Sequence, residues 1–304
     1  MTTGDNGRAA WSAFWANGGS AGSRCLPGAS PPMQSALGQT WAGFARGLPR
    51  KARVLDIASG DGCVMADLLR ARSDLKPVGI DQAKALPPAP RGAKLRGGIE
   101  MDALPFPDAS FAAVTSQFGL EYGEVDAAAR EIARVLQPGG VVGLIVHRED
   151  SLIVAHNRAR AEGIAWAIEQ EALPAKALAS LRLRLSGLTI IPPDVASGPE
   201  RAARMFGPGS AAWEIAEATR RALAGGAHAH PAEVRATVEE IAVRGRHELT
   251  CIATLSAAAE RSGTGERMVA HLVEAGLTAG ECRDLRDDRA AKPFASFLTL
   301  RKPG

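Results

Sequence analysis

The sequence is short of cysteine and aromatic residues. Its 304 residues include four cysteines, five tryptophans, eight phenylalanines and one tyrosine. The cysteines are scattered along the chain without a CxxC pair, so the sequence predicts neither a disulfide framework nor a zinc site. We therefore expect a protein of the reducing cytoplasm that uses no metal.

Long apolar runs and a surplus of one charge are also absent. No apolar stretch approaches the ~18 residues of a membrane-spanning helix. The first residues, MTTGDNGRAA, lack the basic region followed by an apolar run that is typical of a signal peptide. The chain has 36 basic and 33 acidic residues, a net charge of +3 with no basic block. We therefore expect neither a membrane nor a nucleic acid as a partner.

Short apolar stretches alternate with helical patterns in the first half of the chain. The apolar stretches that predict strands are 53–59, 76–82, 93–101, 111–120 and 141–147. A periodic helix over 125–136 is predicted to end at a QPGG turn, 137–140. Such alternation is typical of a parallel sheet joined by right-handed crossovers, with helices on both faces. The sequence therefore indicates an α/β fold.

The second half of the chain has a different pattern. A region without strand signals predicts four to six helices inserted into the fold, and two final strands, 280–288 and 293–302, are expected to form an antiparallel hairpin at the sheet edge. The expected sheet has seven strands and is mostly parallel, with an antiparallel edge strand. The expected divisions are an N-terminal helical or lid segment (1–50), a ligand-binding core (51–150), a helical insertion forming a substrate cap (151–277) and the closing strands (278–304).

The passage VLDIASGDG, 54–62, joins the first strand to the first helix of this core. Gly60 and Gly62 allow the backbone to approach a ligand closely, and the start of the helix offers unpaired N–H groups. A dinucleotide site needs a third glycine three residues after Gly62, where Met65 stands instead. The motif therefore indicates a ligand site of another kind.

Four motifs in order give the sequence a resemblance to a known family. They are VLDIASGDG (54–62), VGID (78–81), MDALPFPDASFAAVTSQFGLEY (101–122) and ARVLQPGGVVGLIVH (133–147). Together they resemble the class I S-adenosylmethionine-dependent methyltransferases, in particular the type 11 group that includes quinone-ring methylating enzymes. The resemblance implies a Rossmann-like fold and S-adenosylmethionine as cofactor, with S-adenosylhomocysteine as product. It is weak toward the chain ends and scarcely covers 151–277.

The resemblance assigns cofactor-binding roles residue by residue. Asp56 is expected to hold the loop or the methionine amino group, Asp81 the ribose hydroxyls, Asp102 the adenine amino group, and Arg24 the methionine carboxylate. Ala58 stands where the family usually has its first glycine, and AKALPPAPRG, 83–92, replaces the family's helix after the second strand. The further expected cofactor residues are Gly60, Gly62, Gln82, Ala103, Gln117 and Phe118.

Two residues near the ends of the fourth and fifth strands are candidates for the acceptor side. His147 ends the fifth strand and is either a general base or a structural histidine. Tyr122 either lines the substrate pocket or packs in the core. Trp11, Phe14 and Trp15 share one helical face, which is either core or a lid over the cofactor.

The expected activity is transfer of a methyl group to an O or N atom of a small or medium-sized molecule, including natural-product tailoring. The alternatives are a peptide or protein methyltransferase, less favoured an RNA methyltransferase, and a methyltransferase-like binding protein without catalysis. The expected partner is the small-molecule or peptide acceptor, and a homodimer is left open.

Overall fold

The computed structural model describes residues 30–184, 190–225, 229–287 and 292–304. The chain divides into two compact units, one of Met1–Val154 with Thr254–Gly304 and one of Ala155–Ala253. The strands are β1 (Arg53–Ile57), β2 (Lys76–Asp81), β3 (Lys94–Gly97), β4 (Phe111–Gln117), β5 (Leu136–His147), β6 (Thr278–Leu285) and β7 (Ala295–Arg301). The α-helices are α1 (Pro31–Arg46), α2 (Cys63–Ala71), α3 (Val125–Val135), α4 (Leu152–Ala165), α5 (Leu173–Arg184), α6 (Pro193–Phe206), α7 (Ala211–Gly225), α8 (Pro231–Ser262) and α9 (Glu266–Glu274).

The first unit is built on one seven-stranded sheet with the order β3-β2-β1-β4-β5-β7-β6. Strands β1 to β5 pair in parallel, and β7 runs antiparallel to both β5 and β6. The expected Rossmann-like, mostly parallel sheet is therefore confirmed. The antiparallel strand β7 lies one position inside the edge strand β6.

Helices cover both faces of this sheet. Residues that alternate along the strands belong to two different cores, since Ile145 of β5 packs with α1 and α2 whereas Leu144 packs with α3 and α9. Trp41 of α1 and Met268 of α9 are fully buried in these two cores. The carboxyl ends of β1, β2 and β4 consequently lie at one edge between two helical layers, where ligands bind in open parallel sheets.

The QPGG segment is not the turn that the sequence predicts. Strand β5 begins at Leu136, before the segment, and its ladder with β4 shifts register between Phe111 and Ala113. Gly139 N–H donates to Lys302 O (3.0 Å) and Lys302 N–H donates to Gly140 O (2.9 Å). The glycines therefore form an irregular start to the strand, held by the end of the chain, which local turn chemistry cannot reveal.

The second unit is helical, with small apolar clusters of its own, one of them around Trp166 and Leu173. It starts and ends inside the predicted 151–277 segment. The helical unit ends before residue 277 because α9 belongs to the first unit, where its Met268 and Leu272 pack into the sheet core. In the described part of the chain, no helix has the combination of length and apolar character that crossing a membrane requires.

Candidate functional site

The loops after β1 and β2 are tied together at the carboxyl edge of the sheet. Gly60 N–H donates to Asp81 Oδ2 (3.0 Å), and Ala83 N–H donates to Asp81 Oδ1 (2.9 Å). Ser59 N–H donates to Ile80 O (2.9 Å). Burial raises the pKa of Asp81, and the two N–H donors oppose that rise. The carboxylate that ends β2 is thus held against the glycine loop after β1.

Four residues at this edge have left-handed backbone conformations. Gly60 and Gly62 have φ of 51° and 76°, and two non-glycine residues, Ala58 and Phe118, have φ of 53° and 52°. Such strain in non-glycine residues is uncommon and concentrates at functional sites. A Cβ on Gly119 would lie 2.4 Å from Cβ of Ala58. The ends of β1 and β4 are therefore in close backbone contact here.

Asp56 lies within β1 and is almost wholly buried. Thr115 Oγ1 donates to its Oδ1 (2.7 Å), whereas its Oδ2 has no hydrogen-bond partner among the described residues. Burial raises the pKa of this carboxyl to about 7, and the bond from Thr115 works in the opposite direction. Asp56 therefore has one oxygen available for a further donor.

The expected adenine residues lie on an exposed turn. Asp102 and Ala103 are exposed, and Gln82 after β2 is half-buried. Met101, which precedes these two residues, packs against Gly123, since its Sδ lies 2.5 Å from where a Cβ on Gly123 would be. The turn therefore runs beside the segment that follows β4.

The Gln117 amide is engaged with neighbouring helices. Its Oε1 accepts a hydrogen bond from Trp41 Nε1 of α1 (2.8 Å), and its Nε2 approaches Cys63 Sγ at the start of α2 (3.8 Å). Sequence reasoning placed Gln117 at the methionine part of the cofactor and did not foresee these contacts. A partner 76 positions away cannot be read from a local pattern.

Phe118, Tyr122 and His147 form an aromatic cluster at the ends of β4 and β5. The His147 ring stacks on Phe118 with centroids 4.4 Å apart, and Tyr122 meets it edge-on at 5.9 Å. Burial lowers the pKa of His147 to about 3. Since general bases work best with a pKa near the working pH, this environment disfavours the expected role of His147 as a base.

Glu121 is a buried acid that the sequence analysis missed. It lies in the 3₁₀ helix Leu120–Tyr122, and its Oε1 accepts the backbone N–H of His147 (3.0 Å). Its Oε2 has no partner among the described residues. Burial raises the pKa of Glu121 to about 7, opposed mainly by the bond from His147. The LEY sequence alone gives no sign of this burial.

One cluster of possible metal ligands lies apart from these loops. Asp126 on α3 and His271 and Glu274 on α9 bring three ligand atoms within 4.8 Å of one another. His271 Nδ1 and Asp126 Oδ1 lie 2.6 Å apart, and both side chains are partly exposed to solvent. A hydrogen-bonded contact at the surface accounts for the closeness of Asp126 and His271. The predicted Arg24 and the aromatic residues Trp11, Phe14 and Trp15 lie outside the described residues.

Comparison with known proteins identifies a methyltransferase domain within the first unit. Residues 55–144 match the family described as a methyltransferase domain. This span runs from β1 to the middle of β5 and contains the glycine loop, Asp81 and the β4 end. The resemblance to class I S-adenosylmethionine-dependent methyltransferases is thereby confirmed.

Two curated relatives each align with less than a third of the chain. The demethylmenaquinone methyltransferase of Thermus thermophilus is 41% identical over 96 residues, which cover 29% of this chain and 44% of that protein. The enzyme of the same name from Corynebacterium kroppenstedtii is 40% identical over 91 residues, which cover 29% of this chain and 38% of that protein. The chain therefore spans less than half the length of the curated relatives it matches.

Solved structures align over more of the chain at low identity. The 1,6-didemethyltoxoflavin-N1-methyltransferase of Burkholderia thailandensis, solved with its acceptor and S-adenosylhomocysteine, covers 99% of this chain and 88% of its own at 13% identity and a TM-score of 0.47. The structure of a Haloferax volcanii methyltransferase in complex with the Trm112 activator covers 97% of this chain and 98% of its own at 15% identity, also with a TM-score of 0.47.

Proposed function

We propose that the protein is an S-adenosylmethionine-dependent methyltransferase that transfers a methyl group to an O or N atom of a small or medium-sized acceptor. The observation that carries the proposal is the bond between the glycine loop and Asp81, at a sheet edge within the segment that matches the methyltransferase family. S-adenosylhomocysteine would be the product.

The residues at this edge fit the cofactor. Each carboxylate oxygen of Asp81 accepts one backbone N–H and has a second lone pair for a ribose hydroxyl. The free Oδ2 of Asp56 suits a donor such as the methionine ammonium group or a donor of the loop that holds it. A Cβ at Gly62 would lie 2.8 Å from Pro90, so only glycine keeps this loop in place.

The bound cofactor would supply an electrophilic methyl group on a sulfonium that leaves easily. The task of the chain is then to align the acceptor and to exclude water. We propose that Ala58, Gly60 and Gly62 pass beneath the cofactor, that Gln82 flanks the ribose, and that Asp102 and Ala103 meet the adenine. Phe118 would border the reacting methyl group. The Gln117 amide would act indirectly, by fixing Trp41 and the start of α2.

An acceptor that carries a proton needs a group to receive it. The raised pKa of Glu121, about 7, suits a general base at neutral pH better than the pKa of His147, about 3. Glu121 also positions His147, because its Oε1 accepts the hydrogen bond that the backbone N–H of His147 donates. We propose Glu121 as the base, with His147, Phe118 and Tyr122 forming an aromatic wall beside it.

A methyl-transfer assay tests the proposal. The acceptor panel contains a demethylmenaquinone, because the curated relatives carry that name, together with phenols, amines and short peptides. We expect one small-molecule acceptor to gain a single methyl group while one equivalent of S-adenosylhomocysteine forms. Methylation of the peptides alone would contradict the small-molecule assignment, and a methyl group on a ring carbon of the quinone would contradict transfer to O or N.

A further inference from the structure

Strand β6 presents an open edge of the sheet. It is the terminal strand, and seven of its eight residues are exposed. Among the described residues it pairs with β7 alone. The outer edge of such a strand carries a row of backbone donors and acceptors that match a further strand.

A groove runs beside this edge. It has a volume of about 650 Å³ and lies between α1 and the last two strands, lined among others by Thr40, Phe44, Glu281 and Arg283. The Arg283 guanidinium lies over the ring of Phe297 at 5.2 Å. The groove therefore offers both apolar and charged surface next to the open edge.

The charges on β6 complement those of a second copy of the same strand. Two copies that pair about a two-fold axis run antiparallel, and an axis at Cys282 puts Glu281 of each copy opposite Arg283 of the other. The ladder of β6 with β7 shifts register between Ala279 and Cys282, so the match is confined to the segment around Cys282, where Glu281 lies beside Arg283. No like charges face each other in this pairing of the two copies.

The neighbouring registers lack this match. An axis at Glu281 would place the two copies of Glu281 opposite each other, and an axis at Arg283 would do the same with the two arginines. An axis between Cys282 and Arg283 would place Glu281 of one copy opposite Asp284 of the other. An axis between Glu281 and Cys282 would bring neither like charges nor opposite charges face to face, so this register gains no ion pair. Like charges directly opposite destabilise a strand pair, whereas opposite charges stabilise it.

We propose that β6 is a dimer interface: two copies of this chain pair their β6 strands antiparallel about Cys282 and extend one seven-stranded sheet into a sheet of both copies. Glu281 and Arg283 already lie within 3.0 Å of each other on one face of the strand, with exposed side-chain fractions of 54% and 45%. In the dimer they form a four-charge network across the axis. Cys282 meets its counterpart on the opposite face.

Charge reversal in the full chain tests this interface by light scattering over a concentration series. The wild type is expected to be dimeric. Glu281→Arg and Arg283→Glu each put like charges opposite and are expected to raise the dimer dissociation constant about tenfold or more. The double variant exchanges the two charges and is expected to restore the dimer. The matched control is reversal of the exposed pair Glu240 and Arg244 on α8, which should leave dimerisation unchanged.

Cross-linking reports the register. A short bismaleimide is expected to link two wild-type chains, to fail with Cys282→Ser, and to succeed with Cys251→Ser, since Cys251 is an exposed cysteine of the helical unit. A monomer at every concentration would overturn the proposal. A dimer that survives both single reversals, or one that the double variant does not restore, would overturn it equally.

Discussion

Asp56, Glu121 and His147 are buried near the carboxyl edge of the sheet, and their environments shift their pKa values in opposite directions. Burial raises the pKa of Asp56 and of Glu121 to about 7 and lowers that of His147 to about 3. All three are therefore held toward their uncharged forms. The sequence identified Asp56 from its motif and His147 from its strand end. It could not identify Glu121, because the burial of a single glutamate depends on residues distant in sequence.

Glu121 makes the stability of the wild type depend on pH. Between its ordinary pKa of 4.5 and the raised value of about 7, the folded chain holds a proton that the unfolded chain has lost. The free energy of unfolding of the wild type therefore falls as pH rises through this range. Glu121→Gln removes this fall and keeps an acceptor for His147 N–H. We expect the variant to gain on the order of 3 kcal/mol relative to the wild type between about pH 4 and about pH 8.

Urea unfolding at several pH values measures this difference. The exposed Glu239→Gln on α8 is the matched control, and its stability should parallel the wild type. If the Glu121→Gln and wild-type curves also run parallel, the assignment of Glu121 as a buried, protonated acid is wrong.

His147 is expected to contribute no proton transfer near neutral pH. Its folded pKa of about 3 lies well below its ordinary value of 6.5, so its ring stays neutral throughout the working range. His147→Ala is expected to lower kcat by loss of packing against Phe118 while the pH profile keeps its shape. Measurement of kcat from about pH 5 to about pH 8 checks this, and loss of an inflection in the variant would restore His147 as the base.

Helix α1 shows how one element supports the site. Its Trp41 donates to Gln117 at the end of β4, and its Phe44 packs edge-on against Trp41 at 5.9 Å. A Cβ on Gly143 of β5 would lie 2.7 Å from the Phe44 ring. The helix is therefore seated on a strand position that only glycine leaves open. The first fifty residues are rich in Gly, Ser and Pro, so their local pattern does not predict this contact.

Gly143→Ala is expected to displace α1. The added methyl group overlaps the Phe44 ring, and overpacking of this kind destabilises a core by about 1–3 kcal/mol. Gly43→Ala within α1 is the control: it has no neighbour within 4 Å, and alanine in a helix interior should stabilise by about 1 kcal/mol. Thermal unfolding measures both variants. Equal stability of the two would contradict the seating of α1 on β5.

At the scale of the whole molecule, β6 and β7 complete the sheet of the first unit. Strand β7 pairs with β5 over seven residues and buries Phe297, Leu298 and Leu300. The order and direction of β1 to β5 could be predicted because βαβ crossovers follow general rules. The limits of the helical unit could not be predicted, since α9 resembles the preceding helices in sequence but packs against the sheet. That the helical unit forms a cap over the acceptor stays a prediction.

A chain that ends at residue 277 is expected not to fold. It lacks β6 and β7, which exposes the β5 edge and the apolar residues that β7 covers. We expect low solubility, binding of a hydrophobic dye and loss of cooperative unfolding by circular dichroism. A soluble, cooperatively unfolding fragment would show that the parallel strands form an independent domain.

The central claim is that the edge formed by β1, β2 and β4 binds S-adenosylmethionine, and isothermal titration with S-adenosylhomocysteine tests it most directly. We expect one site per chain in the wild type, and a loss of affinity of at least about tenfold in Asp81→Ala, which removes acceptors that hydrogen bonds to hydroxyls require. The control, Asp108→Asn, alters an exposed carboxylate paired with Arg134 and should bind like the wild type. Absence of binding by the wild type, or equal affinity in Asp81→Ala, would contradict the account.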